Sequence, residues 1–177
     1  MTSLGRGLRR LLDGLYLLGG ILAALCLVSI LAIIVGQMVA RWTGLTFPGA
    51  TSYAGYAMAA ASFFAFAHAL NRGAHIRVSL VLNMLGDKRR WMEIWCFAIG
   101  SALTWFVAHY AIKATYWSWK FNDISQGQDA TPLWIPQTAM AAGSVLLAIA
   151  MTDHFIRMLF LGDPGITSDT VEQSHGE

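Results

Sequence analysis

The chain has 177 residues, of which 56% are hydrophobic and only 12% are charged, with a mean hydropathy of +0.52 and a formal net charge of +2. A soluble domain carries about 25% charged residues, so this composition excludes an ordinary water-soluble globular protein. The length suits a single domain, and the small net charge requires no nucleic-acid partner.

The N-terminal residues have the pattern of an amphipathic helix. Five leucines fall within an arc of about 100° on a 3.6-residue helix; they are Leu4, Leu8, Leu11, Leu12 and Leu15. Three arginines lie on the opposite side, at Arg6, Arg9 and Arg10. The pattern predicts a short helix on the inner membrane surface before the first span. The alternative is a cytoplasmic extension of that span.

Four runs contain no Asp, Glu, Lys or Arg: 14–40, 42–71, 94–112 and 130–152. A membrane-spanning helix needs about 20 apolar residues to cross roughly 30 Å of hydrocarbon. Thr43-Gly44 and Pro48-Gly49 interrupt the second run. The sequence therefore predicts an all-α membrane protein with four spans, at about 14–40, 51–71, 94–112 and 132–152, in one domain over 1–155.

Small residues recur at helical spacing in three of these spans and predict close helix packing. They are Ala32, Gly36 and Ala40 in the first span, Ala57, Ala61, Ala65 and Ala69 in the second, and Ala139 and Gly143 in the fourth.

The segment between spans two and three, 75–85, is too short to cross a membrane. It is apolar except for Arg77 and for one polar stripe formed by His75, Ser79 and Asn83. It predicts a second short interfacial helix that Gly86 ends. We expect Arg72, His75, Arg77 and Ser79 to contact lipid phosphates or a partner subunit. Plain anchoring by positive charge is the competing interpretation for Arg72, Lys88, Arg89 and Arg90.

Basic and aromatic residues mark the ends of the spans, as in the positive-inside pattern and the aromatic belt. The predicted interfacial anchors are Arg9, Arg10, Lys88, Arg89, Arg90, Trp91, Trp117, Trp119 and Trp134. Nine Lys and Arg residues lie on one side of the predicted spans and three on the other. This asymmetry predicts that both termini are cytoplasmic.

The loop between spans three and four, about 114–131, is polar with aromatic residues and could contact an extracytoplasmic partner. The tail at 162–177 is polar and acidic without an apolar period, which predicts disorder.

The sequence shows no chemistry-bearing motif. None of the predicted spans contains Asp or Glu, and metal-ligand spacing, a nucleophile elbow and a phosphate-binding glycine loop are all missing. We therefore predict no enzymatic activity, catalytic residue, substrate site, metal or cofactor.

A haem-bearing anchor for electron transfer is one alternative, with two histidines as axial ligands. His68 and His109 differ in depth by roughly 17 Å, which is too far for a ligand pair. Depth does not exclude His68 and His154 as a ligand pair, since both are expected near the inner face. A stand-alone small carrier or channel is a further alternative.

The segment from Arg72 to Val78 reads "RGAHIRV", and Thr131 to Gln137 reads "TPLWIPQ". With these segments the chain resembles, over about 14–155, the small DctQ-like membrane subunit of tripartite ATP-independent periplasmic (TRAP) transporters. That family has four spans, both termini inside, and an "R-G-x-H-I-x-V" segment after span two. The family often has an acidic residue where this chain has Ser79.

The resemblance implies an accessory subunit in a bacterial inner membrane. Its partners would be a periplasmic substrate-binding protein and a large multi-span subunit. The large subunit would carry an organic acid or related small solute with sodium, by an elevator movement. The small subunit would scaffold it against the lipid and help to dock the binding protein.

Overall fold

The computed structural model describes residues 3–45, 47–71 and 89–161, and for residues 3–6, 8, 89, 90 and 161 only the backbone. Four α-helices account for almost all of these residues. They are α1 (Ser3–Trp42), α2 (Ala50–Asn71), α3 (Arg89–Lys120) and α4 (Trp134–Leu161). The described residues include no β-strand, only an isolated bridge between Ile124 and Pro132. The predicted all-α class is therefore confirmed.

Three of the helices are long and apolar enough to cross a membrane, over Arg9–Trp42, Trp91–Lys120 and Trp134–Phe160. Within the described part of the chain, helix α2 does not meet this criterion, although the sequence predicted it as the second of four spans. Its 22 residues are rich in Ala, with Ser, Tyr and Gly in place of most of the Leu, Ile and Val of the other helices. These residue types lower its hydropathy while its length remains that of a span.

Helix α1 corrects the prediction of a separate interfacial helix at the N-terminus. The chain runs as one uninterrupted helix from Ser3 to Trp42, about 60 Å long at 1.5 Å per residue. Its first third contains no proline, and Arg9 pairs with Asp13 one turn later, at 3.5 Å. The alternative, an extension of the first span, is the observed structure. The second predicted interfacial helix, 75–85, and the tail, 162–177, lie outside the described residues.

The turn after α1 has a defined chemical cause. Gly44 has a φ of +74°, its N–H donates to the Arg41 carbonyl at 3.3 Å, and the Leu45 N–H donates to the Ala40 carbonyl at 2.9 Å. This pair of bonds is the Schellman motif, in which a left-handed glycine closes a helix. The predicted break at Thr43-Gly44 therefore lies where the chain turns towards α2.

Helix α3 extends eight residues beyond the predicted span 94–112. That span was predicted from an uncharged run, and a charged residue ends such a run without ending the helix. Lys113 and Lys120 are compatible with helix, so the helix continues until Asn122 adopts a φ of +52°. Residues 114–120, expected in a loop, are helical.

The helices pack in the order α1, α2, α4, α3, with α2 lying between α1 and α4, and α3 lying along α4. The ends of α1 and α3 and the starts of α2 and α4 meet at one end of the bundle. We call this the loop end, because it carries the connections 43–49 and 121–133. The opposite end, where α1 begins and α4 finishes, is called the terminal end.

The core is thin and lies towards the terminal end. Tyr16, Ala67, Leu70 and Ala150 form its buried cluster. Close helix approach at Gly19, Gly20 and Gly143 extends it towards the middle of the bundle, because a Cβ at any of them would lie 3.0 Å or less from another helix. The rest of the apolar surface is left to lipid or to other chains.

Candidate functional site

The loop end is organised around one hydrogen-bonded cluster, the clasp, formed by Tyr56, Ser125 and Asp129. The Tyr56 hydroxyl lies 2.8 Å from Ser125 Oγ and 3.0 Å from Asp129 Oδ2. The Ser125 hydroxyl in turn donates to Asp129 Oδ1 at 3.1 Å. The clasp joins the second turn of α2 to a loop some 70 residues later.

The backbone of the loop closes on itself as a short hairpin. The Ser125 N–H donates to the Thr131 carbonyl at 2.8 Å, and the Leu133 N–H donates to the Asp123 carbonyl at 2.9 Å. Ala130 holds a φ of +45°, a conformation that L-residues other than Asn and Asp rarely adopt. The loop therefore has a defined shape that the flanking contacts maintain.

Hydrogen bonding keeps the Asp129 carboxylate ionised. A hydrogen bond from the Thr131 side chain, followed by those from the Asp129 backbone, Tyr56 and Ser125, outweighs partial desolvation and lowers the pKa of Asp129 to about 2. Donors stabilise the charged form of a carboxyl group. At neutral pH the clasp thus has a negative centre surrounded by donors.

Close contact between the loop and the start of α2 explains a glycine. Gly49 has a φ of +79°, and a Cβ placed on it would lie 2.8 Å from the Asp129 Cβ. Both the backbone angle and the space require glycine here. Beside this contact is a polar cleft of about 300 Å³, lined by Gln37, Phe47, Gly49, Ala50, Thr51, Ser52 and Gln128.

Two helices expose broad apolar faces. Only 11% of the most apolar window of α1, and 11% of that of α3, is buried, against 33% for α4. Large side chains are exposed along the whole of both helices, among them Leu25, Leu31, Val35, Ile99, Leu103 and Phe106. In a membrane these faces would meet lipid or another protein.

The terminal end carries acidic residues that sequence reasoning missed. Asp13, Glu93 and Asp153 lie inside the three candidate spans, although the predicted spans contained no Asp or Glu. Glu93 is only 8% exposed. The charge-free runs ended just short of these positions, whereas the helices continue through them. The available signal was an acidic residue directly adjacent to an uncharged run.

The structure places only some of the predicted site residues. Arg72, His75, Arg77, Ser79 and Lys88 lie outside the described residues, and Arg89 and Arg90 begin α3 with only their backbone described. Arg9 forms the ion pair with Asp13, while Arg10 is exposed.

The predicted tryptophan anchors lie at both ends of the bundle. Trp91 is 69% exposed at the terminal end, and Trp119 is 60% exposed at the loop end. Trp117 stacks on Phe121 with ring centroids 5.3 Å apart, and Trp134 begins α4.

The histidines of the haem alternative make separate contacts. His68 Nδ1 lies 3.2 Å from the Tyr16 carbonyl oxygen on α1, and its ring packs against Gly20. His154 is fully buried beside Phe97 of α3. Among the described residues, no group of three or more His, Cys, Asp or Glu side chains is placed to hold a metal ion.

Comparison with known families decides the class of protein. The family model described as "Tripartite ATP-independent periplasmic transporters, DctQ component" matches residues 30–161. The chain belongs to the DctQ family. No curated protein and no solved structure matches it. As a DctQ component it is part of a transporter and not an enzyme, and its long apolar helices make it a multi-pass membrane protein.

The matched range covers most of the described helices of this DctQ subunit. It begins within α1 and ends with α4, and it includes the clasp, the polar cleft and the segment 72–88. The first 29 residues, with the Arg9–Asp13 ion pair, precede it.

Proposed function

We propose that this DctQ subunit is the accessory scaffold of a sodium-coupled, binding-protein-dependent transporter for organic acids or related small solutes. It stabilises a large elevator-type membrane subunit against the lipid. It also helps a periplasmic binding protein to dock. It lies in the bacterial inner membrane with both termini in the cytoplasm.

The observation that carries this proposal is the uneven burial of the helices. Helices α1 and α3 flank the bundle and leave most of their apolar windows uncovered, whereas α4 lies between α2 and α3. Within lipid, helices associate with one another through packing rather than through exclusion from water. Two long faces without internal packing therefore suit attachment to a larger membrane protein.

The proposal includes α2 as a fourth span. Helix α2 lies between α1 and α4, and its Ala60, Ala61 and Ala67 are buried. At 22 residues it is about 33 Å long, enough for the hydrocarbon layer. Since its neighbours cover much of its surface, it needs fewer large apolar side chains than a helix that faces lipid.

Co-purification with the large subunit tests the scaffold role. The triple variant Arg72→Ala, His75→Ala, Arg77→Ala should recover less of the large subunit than the wild type. The control is Lys88→Gln, Arg89→Gln, Arg90→Gln, which removes three charges that plain anchoring would use. Equal recovery in the wild type and the first variant contradicts an assembly role for the three residues.

A separate measurement tests docking at the loop end. Phe121 and Ile124 are 66% and 60% exposed on a loop that the clasp holds. Replacing both with alanine should weaken binding of the purified binding protein to the reconstituted transporter. Trp42→Ala is the control, since Trp42 is 82% exposed at the same end but on α1. Unchanged binding in the double variant removes this loop from the docking surface.

A further inference from the structure

An apolar groove of about 360 Å³ lies between α3 and α4 near the loop end. Its floor includes Ala141, which is 8% exposed. Its rim includes Tyr116, Trp119 and Trp134, of which Tyr116 is 51% and Trp119 is 60% exposed. Both helices qualify as membrane spans. The groove therefore opens where lipid is the solvent.

The two threonine hydroxyls of the lining are hydrogen-bonded within their own helices. The Thr115 hydroxyl donates to the Ala111 carbonyl at 2.9 Å, and the Thr138 hydroxyl donates to the Ile135 carbonyl at 2.6 Å. These two hydroxyls therefore offer no free proton to a ligand in the groove. A hydrocarbon chain needs no such partner.

The groove is too small to enclose a helix. Its lining runs from Trp119 to Ile112 on α3, about 10 Å along the axis. A 10 Å length of α-helix with its side chains is about 10–12 Å wide and fills roughly 800–1,100 Å³. That volume is at least twice the volume of the groove. The depth of about 10 Å also falls within one leaflet, which is roughly 15 Å thick.

Lys120 is the last residue of α3 and is next in the chain to the groove. Lys120 follows Trp119 in the chain and lies one turn after Tyr116, with its Nζ 5.0 Å from the Trp117 ring centroid. A lysine at the end of a span directs its ammonium group towards the headgroup layer. Asp123, three residues later, is the nearest acid along the chain, and Asp129 is held in the clasp.

We propose that this groove binds one glycerophospholipid, with an acyl chain between α3 and α4 and its phosphate against Lys120. The aromatic rim would enclose the upper part of the chain, where Trp and Tyr are most favourable in a membrane. The proposal does not depend on the scaffold role, because it concerns the lipid contact of this chain alone.

Native mass spectrometry of the full chain tests the site, after delipidation in detergent and titration with phosphatidylglycerol or phosphatidylethanolamine. Thr138→Phe should fill the groove from its exposed edge and weaken binding of the first lipid by about tenfold, which corresponds to the loss of about ten van der Waals contacts. Ala142→Phe is the matched control, since Ala142 is exposed on the same helix and does not line the groove. Equal first-lipid affinity in both variants and the wild type overturns the proposal.

A second pair of variants tests the headgroup contact without altering the groove. Lys120→Gln should weaken binding of both lipids, because both carry a phosphate. Arg41→Gln removes an exposed cation from α1, across the bundle, and should leave the affinity unchanged. A loss confined to phosphatidylglycerol overturns the phosphate contact, as does equal loss in the two variants.

In the assembled transporter, a side chain of the large subunit is the alternative occupant of the groove. If adding the large subunit displaces the first lipid from the wild-type chain, the groove receives a side chain of that subunit and the lipid site is rejected. Retention of the lipid in the assembled complex supports the proposal.

Discussion

At the scale of single residues, Asp129 has the clearest electrostatic role in this DctQ subunit. Three side-chain donors surround its carboxylate, and they come from α2 and from both arms of the loop 121–133. Because the charged form accepts all three bonds, the clasp depends on ionisation. The same arrangement explains why the neighbouring Gly49 cannot carry a Cβ.

Acid should release the clasp over a defined pH range. The pKa of Asp129 is lowered in the folded protein to about 2, below the ordinary value of about 3.9. A lowered pKa contributes stability that is complete above the ordinary value and is lost as the pH falls through the folded value. The melting temperature of the wild type should therefore exceed that of Asp129→Asn by a constant amount above about pH 4, and the difference should shrink between about pH 4 and 2.

The control for this measurement is Asp123→Asn. Asp123 lies in the same loop and, among the described residues, its contact with the hairpin is through its backbone. Its substitution should change the melting temperature little at any pH. A pH-independent difference between the wild type and Asp129→Asn would show that ionisation does not maintain the clasp.

At the scale of helices, close backbone approach joins α2 to α4. A Cβ on Gly143 would lie 2.7 Å from the carbonyl carbon and from the Cβ of Phe63. Backbone atoms cannot move aside as the end of a flexible side chain can, so the two helices must separate. Gly143→Ala should therefore destabilise the protein by about 1–3 kcal/mol, the usual cost of overpacking.

Gly36→Ala is the matched control, because no atom of the described residues beyond its own helix and chain neighbours lies within 4 Å of a Cβ at Gly36. Alanine there should be neutral or slightly stabilising, by up to about 1 kcal/mol from helix propensity. Unfolding in mixed detergent micelles measures both variants. Equal effects at the two glycines would contradict the close approach of α2 and α4.

Helices α3 and α4 are joined instead by a hydrogen-bonded threonine. Thr152 Oγ1 lies 3.0 Å from Ser101 Oγ and accepts the Trp105 Nε1–H at 3.0 Å, while it donates to the Ala148 carbonyl. Interhelical hydrogen bonds in membranes contribute about 0.6 kcal/mol each. Thr152→Val should therefore lower the free energy of unfolding by about 1 kcal/mol.

Thr104→Val tests whether the loss is interhelical. Among the described residues, the Thr104 hydroxyl bonds only to the carbonyls of Gly100 and Ser101 in its own helix. Its loss should change stability less than the loss at Thr152. Equal free energies of unfolding for the two variants would show that the hydrogen bonds of Thr152 to α3 do not stabilise the protein.

At the scale of the whole molecule, the status of α2 determines the topology. Four spans place both termini on one side of the membrane, whereas three spans place them on opposite sides. We expect a fluorescent reporter, active only in the cytoplasm, to report at both the N-terminus and the C-terminus. A phosphatase reporter, active only outside, should be active when fused in the loop 121–133. A fluorescent N-terminus with a phosphatase-active C-terminus would reject α2 as a span.

Much of this protein is determined by local features of the sequence. Long uncharged runs can be stable only as helices in lipid, and Thr43-Gly44 supplies a left-handed helix end, so the membrane class and the first turn follow from the residues. The "RGAHIRV" and "TPLWIPQ" segments led to the DctQ family, which the family match confirms. The lengths of the helices were harder to predict. An uncharged run marks only the part of a helix that lies within the hydrocarbon layer, and these helices continue beyond it.

Only the tertiary structure decided which residues meet. The sequence offered Ala32, Gly36 and Ala40 as a packing stripe of the first span, but α1 approaches α2 at Gly19 and Gly20, and Gly36 is open. Likewise Tyr56 and Asp129, 73 residues apart, are joined only because α2 and α4 start at the same end. Small residues permit close approach wherever they occur, and a side-chain hydrogen bond forms wherever two groups are brought within about 3 Å. The pairing therefore depends on how the helices are arranged, which no local pattern of this chain specifies.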